Sequence, residues 1–224
     1  MSILGISSAT RTISVALAEN QKLIAEITLS GRETVTEDII LYVEKLVLES
    51  RSKMDGVAVT VGPGGYSGLR GGLACAKTLA QVNNLKLAAV STLHALAYSL
   101  RDVPGTIAAI TDACRDDFNF ALFRSNNGTI DRITDDLVLH FDKLTELFGQ
   151  VKGVLYLTGT TDEIFAKVKE INPETRIIAA QMNIPSGHNV ALIGEQLIKE
   201  GKTEDPLKLI PKYSHTPNVK EFKT

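Results

Sequence analysis

A chain of 224 residues, 44% hydrophobic and 22% charged, has the make-up of a folded globular protein long enough for one domain or two small ones. Its 24 basic and 26 acidic residues leave a formal charge of −2 with no evident basic patch, which argues against a chain that grips nucleic acid unaided; Lys208, Lys212, Lys220 and Lys223 read as a solvated tail, with a partner contact as the alternative. Two cysteines without CxxC spacing suit a reducing compartment, the absence of a run of about 18 apolar residues argues against a membrane span, and Met1-Ser2-Ile3-Leu4-Gly5-Ile6 lacks a basic leader, so the expected location is the cytoplasm.

Residues 3–7 read as a strand, Ser7-Ser8-Ala9-Thr10-Arg11-Thr12 as a polar turn and 13–18 as a second strand. A hairpin turn at 19–21 leads into a third strand over 22–30, so three antiparallel strands open the chain. Thr34 with Glu37 fits a helix capping box, and Ile39, Ile40, Val43, Leu46 and Val47 repeat at helical spacing. Leu41 and Leu48 widen that apolar surface beyond one core-facing stripe. Such a helix is either covered on two sides by its own chain or meets another subunit.

The most distinctive segment follows. A buried strand over 56–61 leads into Gly62-Pro63-Gly64-Gly65-Tyr66-Ser67-Gly68-Leu69-Arg70-Gly71-Gly72 and then a helix over 73–80. Strand, glycine loop and helix can hold an anion on bare backbone N–H groups, with Gly62, Gly64, Gly65, Ser67, Gly68 and Arg70 as the loop's candidate residues. The plain alternative is a tight turn that lets the helix pack closely. The Gly-Lys-Ser/Thr ending of a P-loop is missing, so this is not a Walker A site. Gly68, Gly72, Ala76 and Ala80 recur every four residues as a ridge of small side chains, open to close approach by an internal helix or by a partner's.

A strand over 87–90 precedes a helix that Ser91-Thr92 caps and that runs to about Arg101, and Pro104-Gly105 marks a boundary. Strands at 106–111 and 118–124, a turn at 126–128 and a strand over 130–139 come next. A helix (142–148), a strand (154–158), a helix (161–171), a strand (177–180) and a helix from 189 to 200 ended by Gly201 complete the chain. Both halves begin with antiparallel strands and continue with strands alternating with helices. That rhythm predicts an α/β protein with a duplicated mixed domain at 1–103, a reduced second copy at 104–210 and a tail at 211–224. His94, His140, His188 and His215 are isolated, with no pair at i, i+4 that would hold a metal on a helix. Asp112, Asp116 and Asp117 could serve acid–base work or bind magnesium, but Arg115 among them favours a solvated, partly self-paired loop.

The glycine loop from Gly62 to Arg70, the opening strand–turn–strand, Val90-Ser91-Thr92-Leu93, Ala109-Ile110-Thr111-Asp112-Ala113 and Pro211-Lys212-Tyr213 resemble, in that order, the TsaB (YeaZ) family, whose hallmark loop is similar to GPGSFTGLR. The resemblance implies two ribonuclease-H-like domains of the actin/Hsp70/sugar-kinase (ASKHA) superfamily, with mixed sheets flanked by helices. It also implies a role in forming N6-threonylcarbamoyladenosine at position 37 of tRNAs that read codons beginning with A. In that system TsaB resembles a degenerate copy of the catalytic subunit TsaD. It pairs with TsaD through its first two helices, helps recruit the ATPase TsaE and meets tRNA only through the complex. In isolation, hiding the same apolar helix faces predicts a homodimer. Leu41, Leu48, Gly68, Gly72, Ala76 and Ala80 are the interface residues this predicts. No metal and no cofactor of its own is implied, although ATP or ADP at the junction with TsaD and TsaE would place Arg115 as a contact.

The residues agree with a non-catalytic role. The HxxxH metal motif of TsaD is absent, and Ser7-Ser8-Ala9-Thr10 stands where the family often has Asp-Thr-Ala-Thr, so no carboxylate is present at position 7 to hold a metal. Arg32-Glu33-Thr34-Val35 and Tyr213-Ser214-His215 also depart from the family's Arg-x-His-Ser-like and Tyr-x-Arg-like segments. The rival readings are a small ATP-dependent phosphotransferase or ATPase using the glycine loop, and a peptidase, for which no Ser/His/Asp arrangement is evident.

Overall fold

The structure, a computed structural model, describes residues 1–30, 38–50, 53–159, 162–178 and 183–215. The first three strands, β1 (Ser2–Ser7), β2 (Thr12–Glu19) and β3 (Lys22–Ser30), form the predicted antiparallel meander. Helix α1 (Ile39–Ser50) follows, with the Thr34–Glu37 capping box lying outside the described residues. Strand β4 (Gly56–Gly62), helix α2 (Tyr66–Val82) and strand β5 (Lys86–Ser91) then add two parallel strands beside β1, giving a sheet in the order β3-β2-β1-β4-β5. After helix α3 (Thr92–Ala97), β6 (Gly105–Asp112), β7 (Asp117–Asn126), β8 (Thr129–Arg132), β10 (Leu155–Thr158) and β11 (Arg176–Ile177) repeat the plan as β11-β10-β6-β7-β8, with β9 (Leu137–His140) also on β7. Each of the two sheets mixes antiparallel and parallel strands, and the α/β class with helix-flanked mixed sheets stands.

Burial explains the strand compositions. β1 is buried along its whole length because both faces are covered, so it reads as a continuous apolar run rather than an alternation. Leu4 and Ile6 face α1 and α2, while Ile3 faces α6 (Gly187–Lys199). Helix α6 comes from the far end of the chain, after the second sheet and the helices α4 (Phe141–Gln150) and α5 (Asp162–Ile171), yet it lies across β1, β2, β4 and β5 of the first. It comes close enough that a Cβ on Gly5 would stand 2.6 Å from the backbone nitrogen of Ala191. Glycine there is a requirement of the helix–sheet approach.

Polar side chains fix that helix. Ser186 caps it, accepting from Asn189 N (3.1 Å), and Glu26 accepts from His188 N (3.2 Å), which places a carboxylate on the positive end of the helix. Asn189 donates to Ala95 O (3.0 Å) and Ser99 Oγ (2.8 Å), tying α6 to α3 and the turn after it. Near the other end, Glu195 is buried and accepts from Gln21 N (3.0 Å), Gln21 Nε2 (2.6 Å) and Lys199 Nζ (2.6 Å). Burial alone pushes this carboxyl up, but the bonds from Lys199 and Gln21 outweigh it and hold it below the ordinary glutamate range. A depressed carboxyl stabilises the fold fully above its unfolded pKa, and that stability is lost as pH falls through its folded value. Thermal unfolding followed from pH 7 down to pH 3 is therefore expected to steepen on the acid side. Glu195→Gln removes that contribution, lowering stability at pH 7 by about 1–3 kcal/mol and flattening the acid limb.

Helix α3 joins the two cores, packing Leu93 and Leu96 with Ile107 and Phe123 and Ala95 with α6. Its cap residue Ser91 accepts from His94 N (3.3 Å) and donates to Asp136 (3.0 Å), which also takes Arg132 (2.7 Å), so α3 is tied to the turn between β8 and β9.

Three predicted elements differ. The run 130–139 is broken into β8 and β9 because Thr134 turns inward, its hydroxyl accepting from Leu122 N (2.9 Å) where a ladder partner would sit. The helix expected to reach Arg101 tightens into a 3₁₀ turn at Tyr98–Leu100. Helix α2 begins at Tyr66, seven residues before the predicted start, so much of the glycine loop is helical. Residues 179–180 of the predicted last strand lie outside the described residues. Among the described residues no helix is long and apolar enough to cross a membrane.

Candidate functional site

The C-terminal ends of β1, β4, β6 and β10 converge on an open cleft of about 590 Å³. The turn after β1 (Ser8, Ala9, Thr10, Arg11) and the start of α2 (Gly64 to Gly68) form one wall, and Thr111, Asp112, Cys114 and Gly159 form the other. Clefts outside the carboxyl ends of strands are where open α/β sheets bind ligands.

The glycines of the first wall are occupied by the chain itself. Gly65 N donates to Ala9 O (2.7 Å), and Ser8 Oγ donates to Gly68 O (2.8 Å). A Cβ on Gly64 would lie 2.8 Å from the Ala9 Cβ, one on Gly68 would overlap the Ser8 carbonyl oxygen, and one on Gly72 would overlap the Ser8 hydroxyl. The loop is thus a seat for the β1–β2 turn. Gly62, at φ +126, is closed in by the backbone of Lys212. Ser67 remains exposed on the cleft.

This geometry corrects the assignment of the small-residue ridge to a partner. Gly68, Gly72, Ala76 and Ala80 are all buried, the two glycines against Ser8 and the two alanines in the core under the first sheet. Helix α2 faces outward instead with Arg70, Ala74, Thr78 and Val82. Leu41 and Leu48 on α1 do lie outside, at 56% and 69% exposure. Arg70 turns away from the cleft: its guanidinium lies 3.8 Å over the Tyr66 ring and donates to Tyr213 Oη (3.0 Å), while Tyr213 stacks on Tyr66 at 4.9 Å. Composition and spacing give no sign of this cluster; only the Pro211-Lys212-Tyr213 segment hinted that the chain's end takes part.

The second wall turns sharply. Cys114, Arg115 and Asp116 all have left-handed backbones (φ 67, 60 and 62°), and Asp112 Oδ1 accepts from Cys114 N (2.8 Å). Arg115 sits exposed at the tip, beside the cleft but outside its lining. The three carboxylates do not form one cluster. Asp112 borders the cleft and, with Asp116, His140 and Glu163, an outer hollow of about 510 Å³, whereas Asp117 stands 3.6 Å from His215. Among the described residues no three His, Cys, Asp or Glu side chains come together to hold a metal. His94 is stacked on Phe123 (5.5 Å) and its pKa is pushed down to about 4, by burial first and by Arg132 second, so it is a neutral packing residue near pH 7.

The two thiols differ in a way that labelling can read. Cys75 is half-buried and burial pushes it up to about 11, whereas Cys114 is exposed on the cleft. Since the thiolate is the reactive form, an aromatic disulfide reagent at pH 7.5 is expected to titrate Cys114 quickly and Cys75 at least about a hundredfold more slowly. Cys114→Ser should remove the fast phase.

Over residues 22–217 the sequence matches the family described as TsaD, tRNA N6-adenosine threonylcarbamoyltransferase. It is 29% identical over 219 residues to the tRNA threonylcarbamoyladenosine biosynthesis protein TsaB of Bacillus subtilis, spanning 95% of this chain and 93% of that one. The protein of the same name from Escherichia coli is 27% identical over 211 residues, covering 91% and 90%. The structure of YeaZ from Pseudomonas aeruginosa shares the fold, with a TM-score of 0.75 at 17% identity over 95% of this chain and 99% of that one.

Proposed function

We propose, from the premise that this chain belongs to the TsaD family of tRNA N6-adenosine threonylcarbamoyltransferase, that it serves tRNA threonylcarbamoyladenosine biosynthesis as a scaffold subunit without chemistry of its own. Its relatives from Bacillus subtilis and Escherichia coli are named for that biosynthesis along nearly their whole length. The observation that carries the non-catalytic half of the reading is the glycine loop. Its Gly65 N–H is taken by Ala9, its glycines seat the β1–β2 turn, and the strand end beside it carries Ser7 where a metal-holding carboxylate would be needed. A phosphotransferase needs those groups free for its substrate.

In this reading the partner is the catalytic member of the same family, TsaD, and the ATPase TsaE joins the pair. The partner covers the outer face of α1 at Leu41 and Leu48, and a homodimer covers the same face when the partner is absent. tRNA is met through the assembled complex, in keeping with the net charge of −2. A nucleotide at the junction belongs to the assembly, with the β6–β7 turn and Arg115 as this chain's nearest contribution.

Co-expression with TsaD from the same source, followed by size-exclusion light scattering with and without TsaE and ATP, tests the reading. A one-to-one pair that restores threonylcarbamoylation of tRNA to TsaD is the expected result. Absence of a pair under all of these conditions overturns it, and ATP turnover by the isolated chain would restore the phosphotransferase reading.

A further inference from the structure

Residues 202–215 cross the molecule as a strap. Glu204 N donates to Leu87 O (2.9 Å), Lys77 Nζ to Leu209 O (2.9 Å) and Lys212 N to Val61 O (2.7 Å), while the Leu209 side chain enters the first core. Up to Lys212 the strap therefore belongs to the first sheet. Beyond it the partners change. Tyr213 is held by Tyr66 and Arg70, Tyr213 and Ser214 line a cavity of about 130 Å³ together with Asn119 and Asp136, and His215 approaches Asp117. The last four described residues bridge the two halves of the protein.

The cavity is unfinished on its polar side. Asn119 is buried, and its Nδ2 donates to Thr111 Oγ1 (3.1 Å) and to Asp112 O (3.2 Å). A backbone carbonyl only accepts, so the amide cannot be turned over, and Oδ1 must be the atom left without a donor. A buried acceptor in that state is costly. Ser214, whose hydroxyl could supply the missing hydrogen, lines the same cavity. Asn119 in turn holds Thr111 and Asp112, which are one wall of the central cleft, and Tyr213 holds Tyr66, which is part of the other.

We propose that residues 213–215 are a latch that closes onto Asn119 through Ser214 and thereby sets the width and mobility of the central cleft. Both walls are one residue away from the strap's end, and the space between strap and β7 gives it room to travel. A partner or ligand that seizes the strap would then be felt inside the cleft without touching it.

Hydrogen exchange of the full chain tests this. In Tyr213→Ala the amides of Ser8, Gly65 and Cys114, which donate to Thr60 Oγ1, Ala9 O and Asp112 Oδ1 on their own sides of the cleft, are expected to exchange about tenfold faster, with those of β1 and α6 unchanged. Tyr213→Phe keeps the ring and loses the bond to Arg70, and a smaller acceleration at the same amides is expected. Faster exchange confined to residues 205–215, with the cleft amides at wild-type rates, overturns the proposal. Should Tyr213→Ala loosen β1 and α6 as well, Tyr213→Phe decides: acceleration selective for the cleft supports the latch, and none there overturns it.

Discussion

Gly68→Ala is expected to destabilise the chain by about 2–3 kcal/mol, although glycine-to-alanine changes inside a helix ordinarily stabilise by about 1 kcal/mol. The sign reverses because of what the methyl group would meet. Gly68 lies in the first turn of α2 with its Cα against the backbone of Ser8, and the nearest atom to an added Cβ is a carbonyl oxygen. Side chains can step aside, but here the β1–β2 turn would have to move. That movement breaks the bond from Ser8 Oγ to Gly68 O and disturbs the one from Gly65 N to Ala9 O. Urea unfolding gives the midpoint shift, and Thr78→Ala, exposed on the same helix, is the control that should stay within about 0.5 kcal/mol of wild type. The experiment also separates two meanings of a small-residue ridge. A ridge that receives a partner's helix leaves the isolated chain's stability intact when enlarged, whereas a ridge that seats its own turn does not. Equal stability of Gly68→Ala and wild type would reopen α2's inner face to a partner.

Local pattern carried much of the fold and stopped where contacts between distant residues decide. The opening meander was legible because alternation in β2 and the turn at Asn20-Gln21 are properties of adjacent residues. The early start of α2 was hidden by its glycines, which lower helix propensity and are tolerated only because Ser8 packs onto them. The break between β8 and β9 depends on one hydroxyl, that of Thr134, reaching Leu122 N twelve residues back. Nothing in the run 186–200 says that its helix will cover the first sheet, since that follows from the fit of Gly5 to Gly187 and Ala191. The candidate site divides in the same way. The glycine loop announced itself by composition, but whether its N–H groups face a ligand or the β1–β2 turn is set by a residue about sixty positions away. The Tyr66–Arg70–Tyr213 cluster joins residues 143 positions apart and left no local trace.

The second large effect is expected on association. Replacing Leu41 and Leu48 together by Asp should weaken pairing with the proposed partner by about thirtyfold or more, equivalent to about 2 kcal/mol, while the monomer's unfolding midpoint stays near wild type. Both leucines project from α1 two turns apart, with the charged pair Glu44 and Lys45 exposed between them, whereas Ile39, Val43 and Leu46 of the same helix are buried. The outer stripe therefore contributes little to the isolated fold and much to whatever covers it, since burying a leucine fully is worth about 1.5–3 kcal/mol. The charges between the leucines would fix the register of the partner, because a misaligned helix would bury one of them unpaired. Light scattering of the isolated variant should likewise report a monomer at concentrations where the wild type is expected to pair with itself. If the variant folds and still pairs at wild-type strength, the α1 face is free of the interface. The scaffold reading would then have to move to the remaining outward side of α2, where Arg70, Ala74 and Lys77 border a groove of about 470 Å³ with Ile210 of the strap. That groove has no acidic residue in its lining and two cations at its edge, so a partner there would have to bring carboxylates, and Ala74→Glu would weaken the pairing that the double replacement of Leu41 and Leu48 had left untouched.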